Sequence, residues 1–224
     1  MTPYPSISTI FKRNPATNYK SLLMYEWADP VFAYLQDNEW SFEEKVDGTN
    51  IRIMINKDAG GVELGGRTDN AQLPAPLVKN LWKLLDVGTR EALVEQFPGG
   101  ACLYGEGFGR GIQGKIGTAY NRDPGFTLFD VNVRDEKVEG GWWLNREAVR
   151  GIAAQFGMDF APIRGVGTLH AMIDIVKSGL VSAYAGEVPF YAEGLIARPL
   201  VDLKTHRGDR IIAKLKMVDF LNGH

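Results

Sequence analysis

Lys45 stands where a strand-like run, Trp40-Ser41-Phe42-Glu43-Glu44-Lys45, gives way to the turn Val46-Asp47-Gly48-Thr49-Asn50. Asp-Gly is a turn dipeptide, so the lysine is presented at the end of a strand. A primary amine in such a place can act as a nucleophile once it is neutral. A free lysine titrates at about 10.4, so its surroundings must favour the uncharged form. Lys214-Leu215-Lys216 puts two more amines on one face of a strand, where they can supply positive charge and neutralise an anion as it develops. Glu193 lies in the apolar run 191–197, where a buried carboxylate needs a cation or a metal as partner. Singly, each feature also fits an ordinary solvated hairpin or strand face.

Two glycine motifs suggest phosphate binding and fail on their context. Gly109-Arg110-Gly111-Ile112-Gln113-Gly114 has dinucleotide-loop spacing, but Lys115-Ile116-Gly117-Thr118-Ala119-Tyr120 does not continue into an amphipathic helix. The same segment approaches a P-loop, but Ile116 follows Lys115 where the magnesium-binding hydroxyl belongs. What is left is a glycine-rich loop over 107–117 that follows Glu106 and flanks a site.

The elements that must position these residues follow from hydrophobic period. Ile51, Ile53 and Ile55 alternate with Arg52 and Met54, which predicts a strand after the turn. A further turn at 56–61 leads to a strand over 62–67. Leu77, Val78, Leu81, Trp82, Leu84 and Leu85 have helical spacing, and a second helix over 90–97 is stopped by Pro98-Gly99-Gly100. Strands follow at 101–106, 126–133 and 142–144. Asn145 caps a helix over 146–156 closed by Gly157, and another over 169–177 is closed by Gly179. The chain returns to strands at 191–198 and 210–217, and 22–35 reads as short helical pieces. Irregularly interspersed strands and helices predict an α+β fold with largely antiparallel sheets.

Composition sets the outer limits. With 224 residues, 45% apolar and a net charge of −2, the chain is globular rather than disordered and large enough for a substantial core. Cys102 alone excludes a disulfide framework and a multi-thiolate zinc site. The three histidines, His170, His206 and His224, argue against a His-rich metal site. No run of 18 apolar residues exists, so no membrane partner is expected. Met1-Thr2-Pro3-Tyr4-Pro5 is not a secretory signal, and a cytoplasmic location is expected. Overall charge gives no push towards nucleic acid. Locally, however, Arg198, Lys204, Arg207, Arg210, Lys214 and Lys216 outnumber Asp202 and Asp209, and Arg110 and Lys115 add to the glycine loop.

Lys45-Val46-Asp47-Gly48 resembles the nucleophile motif of the covalent nucleotidyltransferases, namely ATP-dependent DNA ligases, RNA ligases and mRNA-capping enzymes. The further motifs of that superfamily have counterparts here in the same order. They are Gly66-Arg67-Thr68, Tyr104-Gly105-Glu106, Phe126-Thr127-Leu128-Phe129-Asp130, Glu193-Gly194-Leu195-Ile196 and Lys214-Leu215-Lys216. Asn50 stands where DNA ligases and capping enzymes usually have arginine. Together with the Gly-rich Ile112-Gln113 stretch after Glu106, it is similar to the phage double-strand-sealing and RNA-editing RNA ligases.

The resemblance implies a ligase adenylation fold, ATP-grasp-like, with antiparallel sheets flanked by helices. It implies an ATP-dependent RNA ligase that forms a lysyl-AMP on Lys45, moves AMP to an RNA 5′-phosphate and seals that end to a 3′-hydroxyl. Glu193, Lys214 and Lys216 are expected beside Lys45 as catalytic groups, with Glu193 also the metal-ligand candidate. Glu44, Asn50, Arg67, Glu106, Phe129, Lys214 and Lys216 are expected to bind the nucleotide, with Phe129 stacking on adenine while Phe126 faces the core. Glu106 and Arg67 would contact the ribose or phosphates, and Asn50 the reacting phosphate or strand terminus. The cofactors implied are ATP and Mg2+ or Mn2+. The expected partners are RNA ends or nicked RNA, with DNA-containing hybrids as further substrates, and the expected state is a monomer.

Residues 1–224 are expected to form a single nucleotidyltransferase domain, with no C-terminal oligonucleotide-binding barrel or helical domain after Lys216. Two alternatives stay open. One is a DNA ligase or mRNA-capping guanylyltransferase-like enzyme, and the other is a catalytically inactive nucleotide- or RNA-binding module.

Overall fold

The computed structural model describes residues 3–56, 61–112, 119–120 and 123–221. Residues 57–60 of the turn expected at 56–61, and residues 113–118 at the end of the glycine loop, lie outside the described residues, while Asn56 and Gly61 belong to the flanking strands. In chain order the strands are β1 (Ser8–Thr9), β2 (Phe11–Arg13), β3 (Leu22–Trp27), β4 (Trp40–Lys45), β5 (Thr49–Asn56), β6 (Gly61–Gly65), β7 (Ala101–Phe108), β8 (Gly125–Asp135), β9 (Val138–Trp143), β10 (Asp159–Phe160), β11 (Ile163–Gly167), β12 (Gly194–Pro199) and β13 (Ala213–Lys216). Helices cover Pro30–Tyr34, Ala75–Leu84, Val87–Gln96, Arg146–Gln155, Leu169–Ser178 and Val218–Leu221. This is the expected α+β class with antiparallel sheets. The described parallel pairings are short, β1 with β13 and β10 with β8. Among the described residues, no helix is long and apolar enough to cross a membrane.

The chain divides into two compact units. One comprises Met1–Tyr4 and Asp47–Ala161, the other Pro5–Val46 and Pro162–His224, so the boundary falls just after Lys45.

The unit containing Lys45 is built on a sheet of order β1-β13-β12-β4-β11. Its core face carries Trp40, Phe42, Leu195, Ala197, Ala213 and Leu215, packed with Met172, Ile173 and Val176 of helix Leu169–Ser178. Strand alternation therefore puts Glu43, Lys45, Gly194, Ile196, Lys214 and Lys216 on the other face. Thr168 caps the helix by accepting from the Ala171 amide, and Gly179 closes it at φ +87°. Residues 22–27 form a strand rather than the expected helical piece, because β2 offers them an antiparallel partner. Only Pro30–Tyr34 is helical, capped by Asp29.

The other unit carries a sheet of order β10-β8-β7-β5-β6, with β9 on β8. Ile51, Ile53, Ile55, Leu103, Phe126, Leu128 and Val131 fill its core with Leu77, Leu81, Leu93, Val149 and Ile152 from three helices. Each such aliphatic burial is worth about 1.5–3 kcal/mol. The opposite face of β5 and β7 presents Asn50, Arg52, Tyr104 and Glu106. Strand β7 runs to Phe108, so Gly107 and Phe108, expected in the loop, belong to the sheet. In each unit one sheet face is apolar and covered by helices, and the other carries Lys45, Lys214 and Lys216 in one unit and Asn50 and Glu106 in the other.

Candidate active site

Gly194 of β12 pairs with Lys45 of β4 on one side and Lys216 of β13 on the other. A Cβ at this position would stand 2.1 Å from the Leu215 carbonyl oxygen and 2.7 Å from Lys216 Cα, so only glycine lets the strands close up. Glu193 comes just before it and is fixed by Met217 N–H donating to its carbonyl at 2.9 Å. Its carboxylate bridges the two amines: Lys45 Nζ donates to Oε2 at 2.5 Å, and Lys216 Nζ lies 2.5 Å from Oε1. Burial pushes the Glu193 carboxyl up, but the charges and hydrogen bonds of Lys45 and Lys216 outweigh this and leave it below the usual 4.5.

Lys214 lies on the same face, two residues back, half-buried. Burial first, then the positive charges of Lys216, Lys45 and Arg13, hold its ammonium below the usual 10.5. The cluster thus places three cations around one anion. Such an excess of positive charge suits attack by an amine on an anionic phosphate, where negative charge grows as the bond forms.

Glu43 shares this face and is buried, 2% exposed, with its Oε2 3.6 Å from Arg198 Nε. This pairing withdraws Arg198 from the expected basic surface, while Lys204 and Arg207 remain exposed. Glu44, by contrast, points to the face opposite Lys45. Its carboxylate accepts from Ser182 Oγ at 2.5 Å and from the Ala183 amide at 2.7 Å, with Arg164 at 3.4 Å. The structure therefore does not bring Glu44 to the lysine cluster.

In the other unit the Asp47-Gly48 turn is pinned against β7. The Asp47 amide donates to the hydroxyl of buried Tyr120 at 3.1 Å. A Cβ on Gly48 would sit 2.2 Å from the Gly107 carbonyl oxygen and 3.0 Å from Glu106 Cγ. Asn50 of β5 pairs directly with Glu106 of β7, so the two side chains stand side by side on the polar face. Asn50 Oδ1 is buried with no hydrogen-bond partner among the described residues. An acceptor left in that condition is costly unless a ligand or water satisfies it.

Arg52, two residues along, is fully buried. It donates to the Gly66 carbonyl and the Asp69 carboxylate, each at 2.7 Å, and so ties β5 to the segment that carries Arg67. The Arg52 hydrogen bond holds Asp69 below its usual 3.8. Arg67 itself is exposed.

Phe129 occupies an irregularity in β8, where Tyr104 pairs with Asp130 but Gly105 pairs with Leu128. The extra residue is the mark of a β-bulge, which re-aims a side chain out of the regular alternation. Phe129 is half-buried and packs edge-on against Tyr4 at 5.0 Å, while Phe126 is in the core as expected. Tyr4 also donates to Asp130 Oδ2 at 2.6 Å and meets Tyr104 and Trp143.

Of the expected residues, then, Lys45, Glu193, Lys214 and Lys216 gather in one unit. Asn50 and Glu106 are neighbours in the other, where Phe129 and Arg67 also lie. Sequence reading missed Glu43, Arg52, Tyr4 and Tyr120. An arginine among three core isoleucines was the one available signal, for Arg52. Among the described residues, no group of three or more His, Cys, Asp or Glu side chains could hold a metal by itself.

A family model described as RNA ligase matches residues 38–216. Among solved structures, the Naegleria gruberi RNA ligase with PPi is 16% identical, with a TM-score of 0.63, over 100% of this chain and 60% of that one. A variant of the same ligase with ATP and Mn gives 15% and 0.62 over the same shares. An archaeal ATP-dependent RNA ligase is 17% identical, with a TM-score of 0.59, over 96% of this chain and 48% of that one. The chain thus spans less than two thirds of these relatives. No curated protein matches.

Proposed function

The chain belongs to the RNA ligase family, and on that premise we propose that it is an ATP-dependent RNA ligase working through a lysyl-AMP on Lys45. The observation that carries this reading is the carboxylate of Glu193 shared by Lys45 and Lys216 at 2.5 Å each. A nucleophilic amine is held in a fixed direction, with two further cations ready for the phosphate.

In the first step the Lys45 amine, having lost a proton to solvent, forms an N–P bond to the ATP α-phosphorus. The bond from that phosphorus to the bridging oxygen breaks, and pyrophosphate leaves with the electron pair. Lys216 and Lys214 stabilise the charge that develops on the α-phosphate. Glu193 keeps Lys45 aimed. In the second step an RNA 5′-phosphate oxygen displaces Lys45 from the AMP phosphorus, and the amine regains its proton. In the third, a 3′-hydroxyl attacks the activated 5′-phosphorus, its proton goes to solvent, and AMP departs. Glu106 and Arg67 would hold the ribose or phosphates, Phe129 the adenine, and Asn50 the reacting end.

The ligase from Naegleria is solved with ATP and Mn, and a divalent metal belongs to this reading. Both Glu193 oxygens receive a lysine, so a hydrated hard cation would reach this carboxylate only as one amine gives way, and would take most of its oxygens from substrate phosphates and water. Glu193 would hold Mg2+ or Mn2+, which when bound offsets charge on the phosphates.

RNA ends or nicks are the proposed substrates, with DNA-containing hybrids as further ones. The test is to incubate the protein with α-labelled ATP and Mg2+ or Mn2+ and look for label that survives a denaturing gel. Label on the wild type and none on Lys45→Ala supports the reading, and no label under any metal or pH sinks it. Label from GTP alone moves the chain to the capping enzymes. Sealing assays on RNA, DNA and hybrid strands decide the substrate.

A further inference from the structure

Thr127 pairs directly with Glu106, which in turn pairs directly with Asn50. Directly opposed residues in antiparallel strands face the same way, with Cβ atoms about 4.5–5.5 Å apart. Asn50, Glu106 and Thr127 therefore form a row across β5, β7 and β8 on the face away from the hydrophobic core. Their neighbours Ile51, Phe126 and Leu128 point into that core. The neighbouring glycine is required here: a Cβ on Gly105 would lie 2.3 Å from the Phe126 ring and 2.4 Å from the Thr127 carbonyl oxygen.

Thr127 is 1% exposed, and its hydroxyl is buried with no hydrogen-bond partner among the described residues. A threonine facing the polar side of a sheet normally finds a carbonyl or side chain to bond. At the other end of the row Asn50 Oδ1 is in the same condition. Two orphaned polar atoms flank the carboxylate to which the proposed function assigns the nucleotide ribose, and Phe129, assigned the adenine, is two residues along the strand from Thr127.

Resting on that proposed function, we infer that Thr127 is a nucleotide-contacting residue whose hydroxyl binds the ribose diol beside Glu106, and so helps the site select ribonucleoside triphosphates. A hydroxyl is suited to this because it both donates and accepts, whereas the Glu106 carboxylate only accepts. A site built to bond a hydroxyl discriminates against substrates that lack it.

The test compares wild type, Thr127→Val and Thr127→Ser in self-adenylylation with ATP, 2′-deoxyATP and 3′-deoxyATP, alongside thermal unfolding without nucleotide. Valine keeps the shape and removes an unsatisfied polar atom, so unliganded stability should hold or rise. The KM for ATP should rise about fivefold to tenfold with little change in kcat. The penalty should vanish on at least one of the deoxynucleotides, and serine should restore wild-type behaviour. A Thr127→Val protein with wild-type KM on all three nucleotides overturns the inference, as does one that loses stability without any change in discrimination. A wild type that forms no adduct overturns the underlying reading instead, and this inference with it.

Discussion

Lys45 and Lys216 lie on either side of Gly194, one strand away from it in each direction, and share the carboxylate of the residue before it. The two motif lysines, far apart in sequence, are thus brought together by sheet register rather than by a loop. Register is fixed wherever one sheet face is buried, because a slip of one residue would turn Phe42, Leu195 and Leu215 out of the core.

Gly194→Ala should break this arrangement. Its methyl would meet the Leu215 carbonyl oxygen and Lys216 Cα, both backbone atoms that cannot swing aside. The expected cost is about 1–3 kcal/mol of stability, as for other overpacked sites. Adduct formation from labelled ATP should fall at least about tenfold as Lys45 and Lys216 move apart. Chemical denaturation and single-turnover labelling measure the two effects separately.

Glu193→Gln removes the anion between the two amines. Because Lys45 and Lys216 hold the Glu193 carboxyl below 4.5 despite burial, the charged form stabilises the fold above that value. That contribution is lost as pH falls from 4.5 through the lowered folded value. The glutamine variant should therefore be about 1–2 kcal/mol less stable at neutral pH, after discounting for the partly exposed lysines. Its stability should fall less steeply below pH 4.5. Unfolding curves across an acid series test this, and parallel curves for the two proteins would contradict it.

Lys214→Met should separate stability from activity. The Lys214 ammonium is disfavoured by burial and by Lys216, Lys45 and Arg13. For a base with a lowered folded pKa, this penalty is present at neutral pH and fades as pH rises towards 10.5. The variant should unfold at a higher temperature than wild type at pH 7, with the gain shrinking at alkaline pH. Adenylylation should drop by about tenfold or more for want of charge on the α-phosphate. A destabilised variant at pH 7 would contradict this account of the cluster.

What could be read from the residues follows a physical division. Long periodic helices such as Ala75–Leu84 and Leu169–Ser178 declare themselves, and so do alternating strands such as β5. Strand β11, Ile-Arg-Gly-Val-Gly, is too short and glycine-rich to stand out, and β3 is a strand only because β2 pairs with it. For Glu44 the alternation of β4 already placed it across the strand from Lys45, and motif resemblance alone put it with the nucleotide. Thr127 and Asn50 share a row with Glu106 through pairing between strands, which one sequence does not contain. The aim of Phe129 depends on a bulge in the pairing of β8 with β7, which the sequence alone does not contain.

Phe129 and Phe126 are a matched pair for testing that bulge. Phe126 is 4% exposed and belongs to the core, so Phe126→Ala should cost about 3–5 kcal/mol. Phe129 is half-buried, lies outside the core cluster and meets Tyr4 edge-on. Phe129→Ala should therefore cost less, about 1–2 kcal/mol, made up of lost area and one aromatic pair. If the ring stacks on adenine, its removal should raise the KM for ATP in self-adenylylation about tenfold, while Phe129→Trp retains most of the affinity. The decisive measurement sets denaturant midpoints against KM for both alanine variants. Phe129→Ala with a large stability loss and an unchanged KM would make the residue a packing group and place the adenine contact elsewhere on the sheet.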